Sequence, residues 1–101
     1  MNDQNTQSSP SAGQITLSFL TKPDCHLCDR LLEIMKPIVD EHQDQFSVNI
    51  EFFDIRSDPA LFGKYRFRIP VVIDTRTNRI LFEGRPDPAA VQDALQDLLD
   101  E

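Results

Sequence analysis

The 101-residue chain holds two cysteines, and they stand three positions apart in Cys25-His26-Leu27-Cys28. On a helical turn this spacing brings their Cα atoms to about 5 Å, inside the range a disulfide spans, so the pair can close and reopen with little backbone movement. If Cys25 opens a helix, unpaired N–H groups and the positive end of the dipole favour its thiolate, the form that attacks sulfur. Cys25 then reads as the attacking cysteine and Cys28 as the resolving one.

Two other chemistries use paired cysteines. Zinc asks for four ligands, and the remaining candidates are His26, inside the loop, and His42, far along the same predicted helix, so zinc needs a second chain. Covalent haem attachment asks for a histidine directly after the second cysteine, and Asp29 occupies that place. On the residues alone, three readings stay open: redox turnover, inert packing, and a metal or iron–sulfur centre shared between chains. The spacing favours the first, and no metal ligand is assigned.

The pair needs a scaffold, and length limits it to one domain. Met1 to Gly13 is polar and rich in Asn, Gln and Ser, which reads as a disordered tail, and residues 14–101 suffice for one modest core. The tail lacks the basic start and apolar run of a secretory signal, and no segment is long enough to span a bilayer, so a cytoplasmic protein without membrane contact is expected. In a reducing cytosol a Cys-x-x-Cys pair is more often catalytic or metal-binding than a permanent staple. The net charge of −7 argues against sequence-independent binding to nucleic acid.

Ile15, Leu17 and Phe19 alternate with Thr16, Ser18 and Leu20, the period of a first strand. Pro23 disfavours helical geometry at Lys22, and Asp24 is a plausible cap for a helix starting at Cys25. Leu27, Leu31, Ile34, Met35, Ile38 and Val39 form a helical stripe reaching about His42, kinked but not ended by Pro37. Phe46, Val48, Ile50 and Phe52 alternate in a second strand running to about Ile55, which is expected to lie parallel to the first. Asp58-Pro59 opens a short helix that Gly63 is expected to limit.

Basic and aromatic residues then alternate through Lys64-Tyr65-Arg66-Phe67-Arg68. An extended stretch would put the cations on one side and the aromatics on the other. Arg66 and Arg68 then form either an anion grip or a solvated face over buried rings, and Lys64 reads as surface. Val71 to Ile73 and Arg79 to Glu83 form a hairpin about a polar turn. Asp87-Pro88 opens the last helix, whose inner face carries Val91, Ala94, Leu95 and Leu98.

This order of elements resembles the thioredoxin fold in its glutaredoxin form, an α/β β-α-β-α-β-β-α arrangement with a four-stranded mixed sheet, and the resemblance covers nearly everything after Gly13. It is closest at Thr21-Lys22-Pro23-Asp24-Cys25-His26-Leu27-Cys28, where glutaredoxins carry a lysine three residues before the first cysteine. Tyr65 to Val72 resembles the family's approach to its cis-proline, and Gly84 and Asp87 lie where the family has a glycine turn before the last helix. More narrowly, the chain is similar to a bacterial glutaredoxin-like group with a Cys-x-Leu-Cys site.

The resemblance implies a thiol–disulfide oxidoreductase in which Cys25, Cys28 and a cis Ile69-Pro70 form the working centre. Lys22 and His26 would tune the Cys25 thiolate, with Asp24 and Asp29 opposing. The Ile69 backbone would pair with an extended substrate, Lys22, Arg66 and Arg68 would grip one carboxylate of glutathione, and backbone groups around Gly84 to Asp87 would hold the other end of that molecule. Expected partners are a disulfide-containing protein or glutathione. No tightly bound cofactor is expected, glutathione is the candidate reductant, and the chain should be a monomer. A binding module that keeps the fold without redox turnover is the rival. Three departures from the family stand out: His26 and Leu27 replace its proline and aromatic, Arg68 its threonine, and Glu83 its second glycine.

Overall fold

The computed structural model describes residues 14–42 and 47–99. The expected tail, residues 1–13, and Phe46, expected in the second strand, lie outside the described residues.

The alternation in the first strand is realised as β1 (Gln14–Thr21), in which Ile15, Leu17 and Phe19 are at most 1% exposed. Strand β2 (Ser47–Asp54) pairs with β1 in parallel, from Gln14 opposite Ser47 to Thr21 opposite Asp54. Strand β3 (Val71–Asp74) runs antiparallel along the other side of β1, and β4 (Arg79–Glu83) runs antiparallel to β3. The sheet order is therefore β2-β1-β3-β4, which makes β1, the strand leading to the cysteines, a central one. A bulge in the β3–β4 ladder leaves Leu81 without a partner opposite.

Helix α1 (His26–Glu41) and helix α3 (Pro88–Leu99) pack against each other. Leu31, Met35 and Ile38 of α1 and Val91, Leu95 and Leu98 of α3 share one core with the inner residues of β1 and with Val72. Within the expected inner face of α3, Ala94 is only half-buried, and Leu99 joins the core. Pro37 lies inside α1 on the exposed side, so the apolar stripe continues past it. The helix ends at His42, whose Nδ1–H donates to the Ile38 carbonyl at 2.9 Å while Nε2 accepts from the Gln96 amide of α3 at 3.4 Å. That histidine ties two helices together.

Four local expectations need correction. Asp24 does not cap α1: it takes a left-handed backbone (φ 62°), a conformation Asp tolerates better than most residues, and Cys25 becomes the N-cap itself. Strand β2 stops at Asp54, which caps a 3-10 turn over Ile55–Ser57 by accepting the Arg56 N–H. Helix α2 (Pro59–Tyr65), capped by Asp58, runs through Gly63, because the Arg66 N–H still reaches the Phe62 carbonyl at 3.0 Å.

The fourth correction concerns Lys64 to Arg68, which is a helix end and a turn instead of an extended stretch. The Arg68 and Ile69 N–H groups both donate to the Tyr65 carbonyl, at 2.8 and 3.1 Å. This closure separates the two rings expected on one buried side: Tyr65 is 6% exposed and Phe67 88%. No helix among the described residues is long and apolar enough to cross a membrane.

Candidate functional site

The strand register decides what meets the cysteines. Leu20 pairs with Val71 and Thr21 with Asp54, while Val71 also faces Glu83. One end of the sheet therefore collects the loop to Cys25, the Asp54–Arg56 turn, the Ile69-Pro70 bond and the Glu83-Gly84 corner. Ligand sites of open α/β sheets commonly lie beyond the carboxyl ends of the parallel strands, here β1 and β2.

Cys25 and Cys28 form a disulfide with Cα atoms 5.2 Å apart. As N-cap, Cys25 has an extended backbone, its Sγ accepts the Cys28 N–H at 3.1 Å, and its carbonyl accepts the Asp29 N–H at 3.1 Å. Cys28 is 3% exposed and Cys25 is half-buried. The two sulfur positions are thus unequal: one is reachable from solvent and sits on a helix N-terminus, and the other is closed off by the core.

Lys22 and His26 are both exposed, and neither side chain makes a hydrogen bond or ion pair within the described residues. They flank the cysteines without being fixed there. The Ile69-Pro70 bond is cis, and both residues are buried. The Ile69 N–H is taken up by Tyr65, so of the peptide groups expected to meet a substrate strand only its carbonyl has no backbone partner among the described residues.

Arg68 and Glu83 hold each other. Arg68 Nε donates to Glu83 Oε2 at 2.8 Å and Nη2 to Oε1 at 3.0 Å, a planar two-point contact, and the guanidinium lies 5.0 Å over the Tyr65 ring. The Arg68 hydrogen bond holds the Glu83 carboxyl below its usual range, against a smaller opposing effect of desolvation. Arg66 lies against rings instead, 5.7 Å from the Phe62 centroid and 4.9 Å from that of Phe67. Gly84 takes φ 78°, and its N–H donates to the carbonyls of both Arg68 and Pro70 at 2.9 Å. The Asp87 carboxylate accepts the Ala89 N–H at 3.2 Å and so caps α3.

Features that sequence reasoning missed lie at the same end. Arg56 forms a fork on Asp54, with Nε to Oδ1 at 3.1 Å and Nη2 to Oδ2 at 2.9 Å. Asp-x-Arg at the end of a strand could have signalled it, since a capping carboxylate two residues before an arginine is within reach. Arg30 and Arg85 line an open cleft of about 320 Å³ with Leu27 and Pro86. Nothing local in the sequence joins those two arginines.

Comparisons with known proteins agree with this arrangement. Residues 16–96 match the family described as Glutaredoxin-like domain (DUF836). A relative from Dictyostelium discoideum, "Glutaredoxin-like protein YDR286C homolog", is 34% identical over 76 residues, covering 72% of this chain and 68% of the relative. Among solved structures, the Northeast Structural Genomics target XcR50 from X. campestris is 25% identical with a TM-score of 0.60, covering 80% of this chain and 96% of that one. Thioredoxin 1 from Thermosipho africanus shares the fold, with a TM-score of 0.55 at 16% identity over 84% of this chain and 94% of its own. A mixed sheet ending at a Cys-x-x-Cys helix start, matched over most of its length, makes this chain a member of the glutaredoxin-like family with a thioredoxin-like α/β fold.

Proposed function

We infer that the protein is a thiol–disulfide oxidoreductase, and the observation that carries this reading is the inequality of the two cysteines. Cys25 is half-exposed at a helix N-cap, with the Cys28 N–H aimed at its sulfur, and Cys28 is buried behind it. A negative sulfur at Cys25 gains from that N–H and from the dipole, which lowers the cost of forming the nucleophile at neutral pH.

In the reducing direction, the Cys25 thiolate attacks one sulfur of a substrate disulfide. A Cys25–substrate bond forms, the substrate S–S bond breaks, and the departing thiolate takes a proton from solvent. Cys28 then loses its proton and attacks Cys25 Sγ. The Cys25–substrate bond breaks, the second substrate sulfur leaves as a thiolate that takes up a proton, and the two cysteines, having given up two electrons, remain joined as a disulfide. Two equivalents of glutathione, or one protein dithiol, restore the dithiol form.

Substrate placement falls to the Ile69 carbonyl and Pro70 at the sheet end, with the exposed side chains of Lys22, His26 and Arg66 near the entry. The reading implies a reducing compartment, the cytoplasm, and a working monomer. The test is reduction of hydroxyethyl disulfide by the dithiol protein under thiol counting. Loss of two protein thiols per disulfide reduced, with no activity in Cys25→Ser, is the expected result. Absence of turnover in the wild type would instead leave a binding module with this fold.

A further inference from the structure

The corner where β4 ends carries a charge arrangement that turnover at Cys25 does not require. Arg68 stands one residue before Ile69-Pro70, at the sheet end shared with Cys25, and offers the planar donor pair that suits a carboxylate. Within the chain that pair is already filled, because Glu83 accepts from both Nε and Nη2 at 2.8 and 3.0 Å. The guanidinium is further fixed over the Tyr65 ring. A substrate carboxylate arriving there meets an Arg68 guanidinium whose Nε–Nη2 fork is occupied and whose charge is already balanced by Glu83.

We propose that Glu83 is a specificity-determining residue that occupies the Arg68 guanidinium and so excludes carboxylate-bearing small disulfides from this side of the site, in favour of substrates whose contact there is uncharged. The inference rests on the redox reading of Cys25 and Cys28 for its biological sense, though the charge contact can be measured without turnover.

Geometry makes the device separable from the fold. The loop before Pro70 is tied to the same corner by backbone alone, through the two 2.9 Å bonds from the Gly84 N–H to the Arg68 and Pro70 carbonyls. The Glu83 side chain can therefore lose its charge while the loop stays attached. Both side chains are partly open to solvent, 35% for Arg68 and 44% for Glu83, so a competing carboxylate can reach the fork once it is vacated. Arg66 makes a different kind of contact, its guanidinium lying 5.7 Å from the Phe62 centroid and 4.9 Å from that of Phe67.

The probe is S-methylglutathione, an unreactive thioether that keeps both carboxylates, compared with its diester, which keeps neither. Binding to the full-length oxidised protein is followed by NMR titration for the wild type, Glu83→Gln, and the double variant Glu83→Gln with Arg68→Gln. Glu83→Gln is expected to bind the free acid roughly two- to fivefold more tightly than the wild type, the size of a surface charge contact. The gain should shrink as salt rises, vanish in the double variant, and be missing for the diester. Equal affinities of wild type and Glu83→Gln for the free acid, including no binding by either, would overturn the proposal. So would a gain that persists without Arg68 or that the diester shares. Hydroxyethyl disulfide turnover reports on the redox reading separately: an inert wild type that still shows the charge-dependent gain loses that reading and keeps this one.

Discussion

At the residue scale the protein separates two sulfur atoms by environment. The N-cap position gives Cys25 a hydrogen-bond donor and partial exposure, and burial denies both to Cys28. The two serine replacements should therefore fail differently. Cys25→Ser should be inactive, whereas Cys28→Ser should still attack and then stall as a mixed disulfide, since nothing remains to resolve it. Intact-mass spectrometry after exposure to hydroxyethyl disulfide should find one adduct per chain on Cys28→Ser and none on Cys25→Ser. Adducts on the variant that retains only Cys28 would reverse the assignment.

At the scale of elements, the site depends on how two corners are turned. Asp24 turns β1 into α1 with a left-handed residue, and Gly84 turns β4 toward α3 the same way while tying down the segment before Pro70. A Cβ on Gly84 would meet nothing within 4 Å, so Gly84→Ala suffers no clash and its cost comes from the backbone alone. An L-residue in the left-handed region costs roughly 1–2 kcal/mol. Urea unfolding should show a loss of that order for Gly84→Ala. A loss near zero would mean that the corner relaxes to another conformation, and amide exchange at position 84 should then be faster in the variant than in the wild type.

At the scale of the whole molecule, the core is built from the inner faces of β1 and β3 against α1 and α3, and among the described residues one acid, Asp74, is buried, at 3% exposure. Burial is the largest influence on this carboxyl and would raise its pKa. Hydrogen bonds from the Arg76 side chain (3.2 and 3.3 Å) and backbone N–H (3.0 Å), together with the Arg76 charge and a hydrogen bond from Thr77, outweigh it, so the net shift is downward. With the folded value below the unfolded one, the native state binds fewer protons in the interval between them, and stability rises with pH there. The contribution is complete above about pH 4–5, where an unfolded Asp is ionised, and is lost as pH falls through the depressed folded value. Asp74→Asn should therefore be less stable than wild type at pH 7, and the gap should narrow on acidification below about pH 4. Thermal unfolding across that range checks both the sign and the window.

Much of this was written in local sequence. Period-two runs marked β1 and β2, a polar turn marked the hairpin, the helical stripe carried α1 past Pro37, and Asp-Pro pairs opened α2 and α3, because each signal depends on neighbours within one or two turns. The spacing of Cys25 and Cys28 set their chemistry for the same reason. What tertiary structure decided was everything that needs two distant segments at once. The parallel and antiparallel register brought residues 69 and 70 to the end of β1, and the return of β4 beside β3 put Glu83, fifteen residues away in sequence, onto Arg68. The alternation of cations and rings from Lys64 to Arg68 suggested an extended stretch because alternation is what extended backbone turns into two faces. The chain instead closed that stretch on the Tyr65 carbonyl, which spares two N–H groups near a buried bond from going unpaired. A local pattern fixes what a segment can form, and the hydrogen bonds of its surroundings choose among those forms.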